Sequence, residues 1–273
     1  MVSDYANPQL ETRNPQPETA MKFNEFENIA KEMGISGKMV ESAFVSCLEE
    51  AVSHYLDTPE VEVNLEKEKV TAFLKVGKNL GLEEARVFDE DARPGDFIPM
   101  TFDFPLLPDK VKKEVKERFP EILISLKEDI TYRTWKEKVH RVVEGVVVEK
   151  DNVKLEVNLG GEETGIMPRR EWTPKEIPLY GEGKCFLFYV LKVEREKGLV
   201  KIFLSRRSIN LPVAFLRQKT PWAKIRCVRR IAGVKSWIVS DTEIKREHIE
   251  ELREELRGEF IEVETLKIRL ISL

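Results

Sequence analysis

Seven cationic side chains, Arg206, Arg207, Lys224, Arg226, Arg229, Arg230 and Lys235, crowd one part of a chain that is acidic overall. Between Arg206 and Arg246 there are eleven Lys or Arg residues against two acids, Asp241 and Glu243, while the whole chain carries a formal net charge of −4. Positive charge concentrated in this way attracts phosphate, and the attraction weakens as salt rises. Phosphate binding is therefore the chemistry these residues predict. Within the stretch, Arg229 to Asp241 reads as two β-like runs around Gly233.

Bond-making chemistry has no comparable support. His54, His140 and His248 stand alone, without a Ser or Cys and an acid in a recognisable arrangement. Neither a P-loop nor a G-x-G-x-x-G occurs. The acids between Glu247 and Glu264 spread around a helix with Arg253 and Arg257 interleaved, as on a solvated face. Cys47, Cys185 and Cys227 are far apart and form no C-x-x-C pair, so neither a zinc site nor a disulfide framework is expected. We expect no enzyme, no metal and no cofactor. The apolar runs are too short to span a bilayer and the N-terminus lacks a signal core, so a cytoplasmic protein without a membrane partner is expected.

The elements that must position the cations divide by charge. Residues 1–137 hold 18 basic and 28 acidic side chains, a net of −10, whereas 211–246 hold 9 and 2, a net of +7. An acidic front joined to a basic back predicts two different partners. Residues 1–20 read as a disordered leader. Apolar residues from Met39 to Tyr55 recur at helical spacing. Val61–Leu65 and Val70–Val76 alternate as a hairpin. Leu82–Phe88 reads as a strand or a short turn, and two helices, 109–118 and 121–138, are expected on either side of Pro120.

From 139 the pattern turns to strands: 139–148, 153–159, 164–167, 184–193 and 199–205. Five strands in about 70 residues predict a small closed barrel of the OB type, with an SH3-like barrel as the competitor. Phe186 and Phe188 share one face of their strand and Tyr189 takes the other, so each is a core residue or a stacking surface; Phe203 lies on the next strand. The tail reads as a short helix 211–218, strands 223–231 and 235–240, a helix 243–257 ended by Gly258, and a strand 260–265. Trp237 is either core or a platform. The expected fold is a multidomain α+β chain with boundaries at 1–20, 21–138, 139–210 and 211–273.

Several strings in this order resemble the bacterial transcription elongation, termination and antitermination factor NusA. They are the helix 37–56, Leu82-Glu83-Glu84-Ala85-Arg86 followed by Pro94-Gly95-Asp96, Glu144-Gly145-Val146-Val147 with Asp151-Asn152-Val153, Leu204-Ser205-Arg206-Arg207, and Arg229 through Asp241 with Gly233-Val234-Lys235-Ser236. The resemblance implies that 21–138 is an α/β domain docking on RNA polymerase near the RNA exit channel, that 139–210 is an S-one-type OB barrel, and that 211–273 is a KH-like α+β domain holding nascent single-stranded RNA. The chain departs from the family in one place. A KH domain clamps nucleotide backbone with a G-x-x-G loop, and none occurs after Val239, nor does the remaining length suit a second KH domain. The KH-like unit is thus truncated and degenerate. The function expected is a NusA-like factor that binds polymerase and, weakly and salt-dependently, nascent RNA. The alternative is a polymerase- or protein-binding module that has lost specific RNA binding. Oligomeric state is not indicated.

Overall fold

In the computed structural model, described over residues 23–196 and 198–266, the chain divides into two compact units, residues 1–127 and 128–273. The leader expected over 1–20 lies outside the described residues.

The first unit opens with α1 (Phe23–Glu32) and α2 (Gly37–Leu56). The predicted apolar stripe is real: Val40, Phe44, Cys47, Leu48, Ala51 and Val52 are all buried. Strands β1 (Val61–Asn64), β2 (Lys69–Lys75) and β3 (Phe97–Asp103) make an antiparallel sheet in that order. Between β2 and β3, residues 82–88 form a helix, α3 (Leu82–Phe88), rather than a strand or a turn. The reason is local. Glu83 and Glu84 sit in the first turn, where the helix dipole favours negative charge, and the Glu84 carboxylate accepts the Gly81 N–H at 3.2 Å.

The two helices expected around Pro120 are one, α4 (Asp109–Glu137), which runs from the first unit into the second. Proline inside a helix removes a hydrogen bond and costs about 3 kcal/mol. Val111, Val115, Phe119 and Leu123 are buried at four-residue steps on both sides of it. At about 1.5–3 kcal/mol for each fully buried side chain, that apolar face outweighs the proline, and the helix continues.

The second unit begins with strands β4 (Val142–Lys150), β5 (Lys154–Asn158), β6 (Thr164–Pro168), β7 (Cys185–Glu196) and β8 (Leu199–Ser205). They close as a barrel in the order β4-β5-β6-β8-β7, with β7 paired back to β4. Inside pack Val147, Leu155, Val157, Met167, Phe186, Phe188, Val190, Ile202 and Leu204, closed over by Trp135 of α4. Strand approach is tight enough at Gly145 that a Cβ there would stand 2.5 Å from a Val157 methyl, so this position must be glycine for steric reasons.

The tail supplies α5 (Leu211–Lys219), β9 (Ile225–Ile231), β10 (Lys235–Ser240), α6 (Arg246–Glu255) and β11 (Phe260–Thr265). Its sheet runs β11-β10-β9, with β10 parallel to β11 across α6 and antiparallel to β9. Tail and barrel share one apolar core: Val142 and Tyr189 of the barrel wall pack with Leu211, Phe215, Leu216, Ile225, Ile238 and Leu252. Among the described residues no helix is long and apolar enough to cross a membrane.

Candidate nucleic-acid interface

The basic residues part company at β9. A strand alternates sides with period two, which would place Arg226, Val228 and Arg230 together. The pairing with β10 instead slips: Trp237 faces Arg229 and Ile238 faces Cys227, leaving Val228 as an extra residue in a β-bulge. The slip reverses the phase beyond it. Arg226 and Arg229 therefore share the outer face with Val239 and Trp237, while Ile225, Cys227 and Arg230 turn inward.

Turned inward, Arg230 is no phosphate ligand. Its guanidinium is 1% exposed and grips Glu259 through Nε and Nη2, both at 2.9 Å, while Nη1 donates to the carbonyl oxygens of Arg206 and Ser208. Glu259 also accepts the Gly233 N–H at 2.8 Å and the Ser236 hydroxyl. Burial pushes the Glu259 carboxyl up, but the Arg230 bonds and charge, with those from Ser236 and Gly233, overcome it and hold the group below the usual carboxylate range.

Arg206 is likewise withdrawn. Its side chain is fully buried between the barrel and the tail. Both Nε and Nη2 donate to the Glu176 carboxylate, Nη1 donates to the Leu187 carbonyl at 2.6 Å and to Glu255 at 3.0 Å, and Nη2 donates to the Glu255 carbonyl at 2.9 Å. Tyr180 donates its hydroxyl to the same Glu176 carboxylate at 2.8 Å; burial first, then the Glu176 charge, raises the pKa of that hydroxyl. These two arginines belong to the fold, which corrects the sequence expectation for both. A buried cation must be fully paired to be tolerated, and here every carboxylate that pairs it comes from elsewhere in the chain.

Lys235 is tied down more loosely. Its ammonium meets Glu262 at 2.7 Å and lies 4.7 Å from the Trp237 ring centroid and 5.1 Å from that of Phe260. Four expected ligands stay exposed: Arg207, Lys224, Arg226 and Arg229. Arg207 reaches only the Arg170 carbonyl, at 3.4 Å, and the Arg229 guanidinium stands 5.2 Å from the Trp237 ring centroid. None of the four pairs with a carboxylate among the described residues.

The aromatics also resolve. Phe186, Phe188 and Tyr189 are all buried, so none offers a stacking surface, and Phe203 is half-buried under Lys192. Trp237 points outward on β10, half-buried, because its neighbours Ser236 and Ile238 take the inward positions. Trp222, just before β9, is 70% exposed and was not singled out by sequence; an aromatic between Pro221 and Lys224 was the available signal. The outer sheet face thus combines two unpaired guanidiniums with an indole, which is how proteins hold a phosphate backbone and a stacked base together.

No family model matches the chain, and no curated protein matches it. Among solved structures it is similar to an uncharacterized protein of Methanocaldococcus jannaschii, at 18% identity over 24% of this chain and 85% of that one, with a TM-score of 0.21. It is also similar to GSP13 of Bacillus subtilis, at 32% identity over 25% of this chain and 55% of that one, with a TM-score of 0.22.

Proposed function

We propose that the chain is a non-enzymatic, NusA-like transcription factor whose tail holds single-stranded RNA by its phosphates. The observation that carries the RNA-binding part is the pair Arg226 and Arg229, both outward on β9, without carboxylate partners, beside Trp237. Lys224 extends the cationic edge, and Arg207 adds a cation on the barrel side. In this reading the acidic 21–138 segment docks on RNA polymerase, the five-stranded barrel is an OB module, and the β-β-α-β tail is a KH-like unit that grips without a G-x-x-G. The order of elements along the chain supports it: a helix and hairpin in front, a barrel of order β4-β5-β6-β8-β7, then the tail sheet. Holding or releasing the transcript would bias pausing or termination with no bond chemistry.

Fluorescence anisotropy of labelled single-stranded RNA with the full chain tests the grip. Four phosphate contacts predict a log–log salt slope of about −3, or roughly fifty-fold weaker binding at about 200 mM than at about 50 mM salt. Binding that ignored salt would sink the electrostatic account. Capture of the full chain by core RNA polymerase tests the docking. The second reading, a polymerase- or protein-binding module without RNA, is favoured by the withdrawal of Arg206 and Arg230 into ion pairs; absence of RNA binding at low salt together with capture by polymerase would select it.

A further inference from the structure

A cavity of about 270 Å³ lies where the start of the barrel meets α5 and β9. Its polar lining is His140, Tyr189, Asn210, Arg217 and Arg226, and no carboxylate lines it. Opposite these, Val213, Ala214 and Ile225 present a buried apolar wall. Arg217 spends one N–H on the Ile225 carbonyl at 2.8 Å, and neither arginine pairs with an acid among the described residues. The His140 Nδ1 and the Tyr189 hydroxyl are hydrogen-bonded at 2.9 Å, and Asn210 lines the cavity beside them. His140 holds a left-handed backbone, φ 67°, which is uncommon for a residue other than glycine.

We infer that this cavity takes one nucleotide, its phosphate against Arg217 and Arg226 and its base or sugar against Val213, Ala214 and Ile225. Two guanidiniums without a counter-ion favour phosphate, which each can meet through two parallel N–H bonds. A second feature sets the size. Ligand pockets for drug-sized molecules run from about 300 to 1,000 Å³, so this one suits a single nucleotide rather than a stretch of strand. The apolar wall gives a reason for the site to prefer a nucleotide over bare phosphate, and the amide, imidazole and hydroxyl edges supply donors and acceptors that a base can satisfy. Because Arg226 belongs both to the cavity and to the outer face of β9, the inference rests on the phosphate-binding reading above and deepens it. A nucleotide of the bound strand would drop into the cavity, adding selectivity that the exposed cations lack. A free mononucleotide offers the same chemistry.

Calorimetric titration of the full chain with AMP, GMP, CMP and UMP, with adenosine and inorganic phosphate alongside, tests it. We expect at least one mononucleotide to bind with a Kd on the order of 1 mM or tighter, and adenosine and phosphate each about tenfold more weakly. Arg217→Ala should weaken the mononucleotide about tenfold. Arg226→Ala, at an exposed position without a partner, should do the same if Arg217→Ala disturbs the chain near Ile225. No saturable mononucleotide binding at about 10 mM, or equal affinity for phosphate alone, would overturn the inference. RNA bound without mononucleotide binding would discard the cavity and leave the grip on β9 standing. Mononucleotide bound without RNA would keep the cavity as a free-nucleotide site and remove the strand-binding reading.

Discussion

Arg230 and Arg229 are adjacent in sequence, yet one lies in the seam between tail and barrel and the other on the open face of the sheet. The seam holds Arg206 and Arg230 with three carboxylates, Glu176, Glu255 and Glu259, of which only Glu255 is partly exposed. The outer face holds Arg226 and Arg229 without a carboxylate partner and with an indole alongside, while Glu262 and Glu264 of β11 lie on the same face beyond β10. Identical side chains thus do opposite work. Inside, guanidiniums fix one surface against another through directional bonds; outside, they keep a charge that no carboxylate neutralises, the charge the proposed function uses for phosphate. Local charge density alone does not separate the two roles, because one bulged residue, Val228, decides which side each arginine takes.

The contrast can be broken most severely from the inside. Arg206→Ala strands Glu176 in a buried site and should destabilise the second unit by about 3–5 kcal/mol, read by urea denaturation. Arg206→Met combined with Glu176→Leu, which removes both charges, should recover most of that loss. A similar penalty for Ala at Arg229 would erase the distinction.

Next comes Glu259→Gln, which weakens the charge-assisted bonds to Arg230 and should cost about 2 kcal/mol. The pH dependence has a definite sign. Since the folded Glu259 carboxyl is held below its ordinary value, its contribution is complete above about pH 4.3 and is lost as pH falls through the lower folded value. Thermal melts of the wild type should fall across that window, and those of Glu259→Gln should fall less.

On the outer face the expected effect is on affinity. Replacing Lys224, Arg226 and Arg229 together by Ala should reduce the RNA salt slope by about 2 while changing stability by no more than about 0.5 kcal/mol. Trp237→Ala should weaken RNA by about 1 kcal/mol or more if a base stacks there, with little change in salt slope, which separates stacking from charge. The smallest effect is expected of Arg207→Ala alone, a change of about one in salt slope.

Much of the architecture was legible. The stripe of α2, the five strands of the barrel and the β-β-α-β tail follow from period and turn chemistry that neighbouring residues carry. At Pro120 a non-local term wins, whereas at 82–88 the deciding signal is local. Pro120 stays inside α4 because Val111, Val115, Phe119 and Leu123, on both sides of it, are buried by a core the sequence does not display. The Leu82-Glu83-Glu84-Ala85-Arg86 string carries helix formers with acids at the N-terminal end, a local helix signal that outweighs its resemblance to a strand. Of the site, the cationic stretch was visible, but the cavity was not, since His140, Tyr189, Arg217 and Arg226 come from segments as many as 86 residues apart.

By itself, then, the sequence determined that this chain carries a basic region able to attract phosphate, and the elements on which that region sits. Composition and short-range periodicity are local properties, so they survive without the fold. Which cations are free was decided only by tertiary structure. An arginine is available to a ligand when no carboxylate from a distant part of the chain has already neutralised it. Glu176 lies 30 residues from Arg206, and Glu259 lies 29 from Arg230; closing the barrel and packing the tail against it is what brings them together.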